Sequence, residues 1–119
     1  LLLVDDDINV LRTMTRVLTR AGYVVDAFSD AAQALEMLGA SHGRYDALVT
    51  DRTMPVMSGL EVARRAHAQY PALPIVLLSG AVQEADRDSA ALAAVVSKPI
   101  EAEALVAEIE RVLTVAPPK

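Results

Sequence analysis

Four carboxylates stand at the ends of two apolar runs: Asp5-Asp6-Asp7 follows Leu1-Leu2-Leu3-Val4, and Asp51 follows Ala47-Leu48-Val49-Thr50. If the runs are neighbouring parallel strands, their carboxyl ends share one edge, which is where open α/β sheets place their sites. Two unit charges about 4 Å apart repel by roughly 4 kcal/mol at an effective dielectric near 20, so such a grouping calls for something positive. A divalent cation fits, because hard cations take carboxylate, carbonyl and water oxygens. Each acid of the trio also suits a helix start, through capping and the helix dipole. Asp5 and Asp6 are therefore read as metal ligands and Asp7 as the cap.

The same edge gathers further chemistry. Ser79 ends the run Pro74-Ile75-Val76-Leu77-Leu78, and Lys98 follows the run Ala93 to Ser97. Taken singly, a strand-end hydroxyl usually bonds backbone and a lysine is usually a solvated charge. Beside the carboxylates they suit phosphoryl transfer, in which metal and ammonium neutralise the equatorial oxygens while a carboxylate attacks in line. Asp51 is the candidate nucleophile. It opens the loop Asp51-Arg52-Thr53-Met54-Pro55-Val56-Met57-Ser58-Gly59, shaped by Pro55 and Gly59; a turn carboxylate satisfied by backbone amides is the weaker alternative. Gly80 is either a plain turn glycine or one that lets backbone amides approach a phosphoryl group.

The elements that would position these groups alternate in period. Leu1 to Val4 is a strand, and the spacing of Ile8, Leu11, Thr15 and Leu18 is helical up to Ala21-Gly22. Tyr23 to Phe28 is expected as the second strand. Asp30, with Gln33 at the capping-box position, starts a helix through Leu35 and Leu38 that Gly39 ends. Tyr45 to Thr50 is the third strand, and Ser58 with Glu61 forms another capping box before the helix Val62 to Tyr70. Pro74 to Ser79 and Ala93 to Ser97 are the fourth and fifth strands, with a short helix expected near Glu84 to Leu92 and a last one over about Glu101 to Thr114. Such alternation implies right-handed β-α-β crossovers and a mainly parallel sheet covered on both faces. Residues 1–115 are expected as one domain and 116–119 as a tail or linker start.

Bulk properties exclude several classes. At 119 residues and 53% apolar, the chain is one domain able to bury a core. A net charge of −5 with scattered Lys and Arg argues against a nucleic-acid surface. With no cysteine there is no disulfide framework, thiol nucleophile or zinc-thiolate site, and a cytoplasmic location is expected. No apolar stretch approaches the roughly 20 residues that span a bilayer, so no membrane contact is expected. The chain opens on an apolar strand at Leu1 rather than a methionine, which suggests a part of something longer. His42, in a Ser-Gly loop, and His67, on a helix between Arg65 and Gln69, are read as surface residues rather than phospho-donors.

Leu3-Val4-Asp5-Asp6-Asp7, Thr50-Asp51-Arg52-Thr53-Met54-Pro55-Val56-Met57-Ser58-Gly59-Leu60, Leu77-Leu78-Ser79-Gly80 and Ser97-Lys98-Pro99 together resemble the receiver domain of two-component response regulators and hybrid histidine kinases. The resemblance covers essentially the whole chain. It implies a flavodoxin-like doubly wound (βα)5 sandwich with a five-stranded parallel sheet in the order 2-1-3-4-5. It implies that Asp51 accepts the phosphoryl group, that Asp5, Asp6, Asp51 and the backbone carbonyl of Thr53 hold Mg²⁺, with Mn²⁺ able to substitute, and that Ser79 and Lys98 contact the phosphoryl oxygens. Members usually have a cis peptide before the proline at Pro99, which would orient Lys98. The implied partner is a histidine kinase or histidine phosphotransfer domain, with room for a weak homodimer. Two departures stand out. Val95 occupies a place where members commonly carry Tyr or Phe, and the stretch between Ser79 and Lys98 is about three residues short. That shortness leans toward a hybrid-kinase origin, and it weakens inherited ideas of dimerisation through the fourth helix.

Other readings make different demands. A metal-dependent phosphatase of the haloacid-dehalogenase type, with an aspartyl-phosphate intermediate, carries a second Asp two residues after its nucleophile, where this chain has Thr53. The isolated domain is thus expected not to be a multiple-turnover enzyme, although it can be part of a histidine kinase. A phosphorylation-independent docking module would not need the acidic pair, Asp51 and Lys98. A flavodoxin-like cofactor binder fails because the first turn has no glycine-rich loop and its three carboxylates would repel an anionic phosphate.

Overall fold

The computed structural model describes residues 1–80, 92–97 and 101–115 of the chain. Five strands, β1 (Leu2–Val4), β2 (Asp26–Phe28), β3 (Leu48–Asp51), β4 (Ile75–Ser79) and β5 (Ala94–Ser97), form one sheet in the order β2-β1-β3-β4-β5. Every neighbouring pair is parallel. Four helices are present among the described residues: α1 (Ile8–Arg20), α2 (Ala31–Ala40), α3 (Gly59–Gln69) and α4 (Ala102–Val115). The short helix expected near Glu84 to Leu92 falls almost wholly on residues outside the described ones, as does the expected tail at 116–119.

Side-chain alternation along the strands produces two cores. Leu3, Val49, Val76 and Leu78 face α1 and α4, where they meet Leu11, Met14, Leu18, Leu105, Ile109 and Val112. Leu2, Val4, Leu48 and Ile75 face the other way, onto Ala31, Ala34 and Leu38 of α2 and Val62, Ala63 and Ala66 of α3. Both faces of the central strands are thereby buried, which explains why those strands read as unbroken apolar runs. No described helix is long and apolar enough to cross a membrane.

The helix ends follow local chemistry. Asp7 caps α1, its carboxylate accepting from the amides of Asn9 and Val10 at 3.0 and 3.3 Å. Asp30 caps α2 through the Ala32 amide at 2.8 Å, and Ser58 caps α3 through the Glu61 amide at 3.2 Å. At the far end of α1 the Gly22 amide donates to Thr19 and the Tyr23 amide to Leu18, with Gly22 in the left-handed region; this is a Schellman stop.

Several boundaries differ from expectation: β3 begins at Leu48 rather than Tyr45, and α3 runs Gly59–Gln69 rather than from Val62 to Tyr70. Gly39 does not end α2: the helix runs through it to Ala40 and stops by the same Schellman bonds, His42 to Gly39 and Gly43 to Leu38. The left-handed position falls to His42 (φ 56°), and Gly43 is needed where the Tyr70 ring leaves no room, since a Cβ there would lie 2.5 Å from Tyr70 Cδ1. The second strand begins at Asp26 rather than Tyr23, because β2 is an edge strand and its described neighbour, β1, starts its pairing at Leu2 opposite Asp26.

Candidate functional site: an acidic pocket at the carboxyl edge of the sheet

Register brings the acids together. β1 and β3 pair Leu2 with Leu48, Leu3 with Val49 and Val4 with Thr50, so the next residue on each strand, Asp5 and Asp51, emerges side by side. One oxygen from each of Asp5, Asp6 and Asp51 lies within 4.8 Å of the others. Opposite ligands of one small divalent ion are separated by roughly 4 to 5 Å, so this all-oxygen set has the span and hardness that Mg²⁺ requires. Asp5 is fully buried and Asp51 is 6% exposed, whereas Asp6 faces solvent. The pocket thus has a closed floor and an open mouth. The oxygens of buried carboxylates feel one another more strongly than surface charges do, which sharpens the demand for a counter-cation.

The trio is one linked unit. The Asp7 amide donates to Asp5 Oδ1 at 2.9 Å, so the turn that caps α1 also orients the Asp5 carboxylate. Asp5 is tied to the edge strand as well, its amide donating to the Phe28 carbonyl at 3.1 Å. On the β3 side the Arg52 amide donates to the Leu78 carbonyl at 2.8 Å, extending the β3–β4 ladder one residue past Asp51.

Of the remaining sequence candidates, Ser79 and Thr53 lie at the same edge of the sheet. Ser79, 2% exposed, ends β4 one residue beyond Leu78, the partner of Asp51. Ser97 pairs with Ser79 and is the last residue of β5; Lys98 and Pro99 lie outside the described residues. Thr53 is exposed in the loop after β3. Val95 pairs with Leu77 in β5 and is half-buried. His42 is exposed and His67 half-buried on α3, neither among the residues of the acidic cluster.

One participant escaped the sequence reading. The buried Thr50 hydroxyl donates to the Asp51 carbonyl oxygen at 3.1 Å. Its only signal was a hydroxyl closing an otherwise apolar run. Beside the pocket, Asp6, Ser29, Asp30, Ala31, Met54 and Val56 line part of a cleft of about 330 Å³ between the loops that follow β2 and β3.

Comparison with known proteins agrees with this geometry. The family model for the response regulator receiver domain matches residues 1–110. The response regulator receiver protein CpdR of Brucella abortus is 39% identical over 119 residues, 98% of each chain. The response regulator MprA of Mycobacterium leprae is 36% identical over 116 residues, and there the match spans only 50% of the relative's length. Among solved structures, a receiver domain protein of Clostridium thermocellum superposes with a TM-score of 0.88 at 22% identity, covering 95% of this chain and 92% of the other, a likeness of fold. The response regulator protein TrrA of Thermotoga maritima, in complex with Mg²⁺-BeF, superposes with a TM-score of 0.82 at 27% identity, covering 93% and 96%. With its fold, its acidic edge and its relatives in agreement, the chain belongs to the response regulator receiver domain family, the phospho-accepting domains of two-component signalling.

Proposed function

We propose that Asp51 takes a phosphoryl group from a phosphohistidine on a histidine kinase or histidine phosphotransfer domain, with Mg²⁺ held in the acidic pocket, and that hydrolysis later resets it. The observation that carries this reading is the convergence of one oxygen each from Asp5, Asp6 and Asp51 within 4.8 Å at the carboxyl edge of the sheet. Asp5, Asp6, Asp51 and the Thr53 carbonyl would hold the ion, which supplies charge neutralisation for the equatorial phosphoryl oxygens. The TrrA structure, with Mg²⁺ and BeF bound on the same fold, supports that assignment.

In the transfer, an Asp51 carboxylate oxygen forms the new O–P bond as the N–P bond of the donor breaks. The bond pair stays on nitrogen, and the donor leaves as neutral imidazole with its proton on the other ring nitrogen. Ser79 donates its hydroxyl to a phosphoryl oxygen, and Lys98 pairs with another. In the reset, water attacks phosphorus, the acyl phosphate opens and inorganic phosphate departs. The added charge draws on Ser79 and Lys98 and biases the loops after β3, β4 and β5, a population shift of the kind that local charge switches produce. Residues 1–115 form the receiver unit in this reading. Steady turnover of phosphate monoesters is not expected, since the place two residues after Asp51 holds Thr53 rather than an acid.

The test is intact mass after incubation with a small phosphodonor. Wild type with Mg²⁺ is expected to gain one phosphoryl group, and both wild type with a chelator and Asp51→Asn to gain none. Equal gain by Asp51→Asn would remove Asp51 from its role, and sustained release of phosphate from monoesters would favour a phosphatase.

A further inference from the structure

The first turn of α3 presses directly on the backbone of the acceptor residue. Gly59 is buried and opens that helix. A Cβ built on it would lie 2.0 Å from the Asp51 carbonyl oxygen, 2.8 Å from the Asp51 carbonyl carbon and 2.9 Å from Arg52 Cα. Non-bonded atoms of this kind ordinarily sit about 3.5 Å apart or more, so any side chain at 59 forces the two segments apart by about an ångström or more. All three atoms are backbone, which has no rotamer through which to yield. The φ of Gly59 lies outside the left-handed region, so the restriction is one of space and not of conformation.

The contact is also bonded. The Gly59 amide donates to the Arg52 carbonyl at 2.8 Å, the Arg52 amide donates to Leu78 of β4 at 2.8 Å, and the Thr50 hydroxyl donates to the Asp51 carbonyl at 3.1 Å. The Asp51 peptide is thus held by β4 and by its own strand, with α3 close behind it. Ser58 fixes the helix start through its cap on Glu61. Neither side of the contact can give way without moving a hydrogen-bonded element.

We infer that Gly59 is a positioning residue for Asp51: the missing side chain lets α3 set where the Asp51 carboxylate and the following loop enter the acidic pocket. This rests on the reading of that pocket as a Mg²⁺ and phosphoryl site. A displacement of about 1 Å of a reacting group costs on the order of 10²-fold in rate, and metal ligation tolerates little more. Gly59→Ala is expected to weaken Mg²⁺ binding on the order of tenfold and to slow phosphorylation by a small phosphodonor on the order of 100-fold, with the fold kept. The control is Gly39→Ala, a helix-interior glycine whose Cβ would meet nothing within 4 Å.

The experiment is Mg²⁺ titration by calorimetry on wild type, Gly59→Ala and Gly39→Ala, with a urea melt of each. Weakened binding in a cooperatively folded Gly59→Ala, and unchanged binding in Gly39→Ala, is the expected result. Binding within twofold of wild type in a folded Gly59→Ala overturns the positioning role while leaving the metal site intact. Absence of Mg²⁺ binding by wild type overturns the metal reading itself. If Gly59→Ala does not fold, hydrogen exchange in wild type decides: Mg²⁺ is expected to slow exchange of the Gly59 amide several-fold more than that of the Gly39 amide, and equal slowing overturns the inference.

Discussion

At the scale of single residues, the acidic trio divides its labour by burial and bonding rather than by type. Asp5 is buried and receives the Asp7 amide, Asp6 is exposed at the mouth, and Asp7 spends its carboxylate on the start of α1. Replacing Asp5 by the near-isosteric Asn keeps an oxygen for the Asp7 amide but removes a charge from the metal set. Asp5→Asn is therefore expected to weaken Mg²⁺ binding at least about tenfold, a loss of about 1.4 kcal/mol or more. It should also abolish most of the rise in melting temperature that saturating Mg²⁺ confers on wild type through linkage. A Mg²⁺-dependent melting shift equal to wild type would exclude Asp5 as a ligand. The meeting of Asp5, Asp6 and Asp51 was legible beforehand, because carboxylates at strand ends are informative by type alone. Thr50 was not, since the hydroxyl's partner is a backbone carbonyl that only the fold brings into line.

At the scale of elements, caps and register place the chemistry. Asp7→Ala removes the α1 cap and is expected to cost about 1 kcal/mol of stability, readable as a lower urea midpoint. Mg²⁺ affinity should stay within a few-fold of wild type, and a tenfold loss would instead place Asp7 in the metal set. Where sequence and structure part, the reasons are geometric. A glycine in a helical pattern looked like the stop of α2, yet Gly39 sits comfortably inside the helix, and the glycine that matters, Gly43, is chosen by the Tyr70 ring from another part of the chain. Tyr23 to Val25 have strand-like composition, but the ladder with β1 begins only at Asp26, so composition alone placed the start of β2 too early. Cover on both faces was legible, because the unbroken apolar runs Leu1–Val4, Ala47–Thr50 and Ile75–Ser79 demand it, whereas the strand order came only with the resemblance to receiver domains.

At the scale of the whole molecule, an edge-to-loop bond gives a pH signature. The Tyr45 hydroxyl donates to Asp26 Oδ2 at 2.7 Å, joining the segment before β3 to the edge strand β2. Burial and then the Asp26 carboxylate push the phenol up from 10.0 to about 12. Because the folded value exceeds the unfolded one, this contribution to stability is fully present below pH about 10 and is lost as pH rises toward 12. The stability difference between wild type and Tyr45→Phe is expected to be constant below that window and to shrink through it; a difference that does not change with pH would contradict the assignment. The chain spans half the length of MprA of Mycobacterium leprae and nearly all of CpdR, so receiver-like sequence of this kind occurs in proteins of different length. What unites these scales is the acyl phosphate proposed for Asp51 on β3. The most direct measurement is its position: phosphorylate the protein with Mg²⁺ and a small phosphodonor, reduce the acyl phosphate with borohydride, and sequence the peptides by mass spectrometry. Homoserine at residue 51 alone is the predicted result, and a reduced product at Asp5, Asp6 or any other acid with Asp51 unmodified would contradict it.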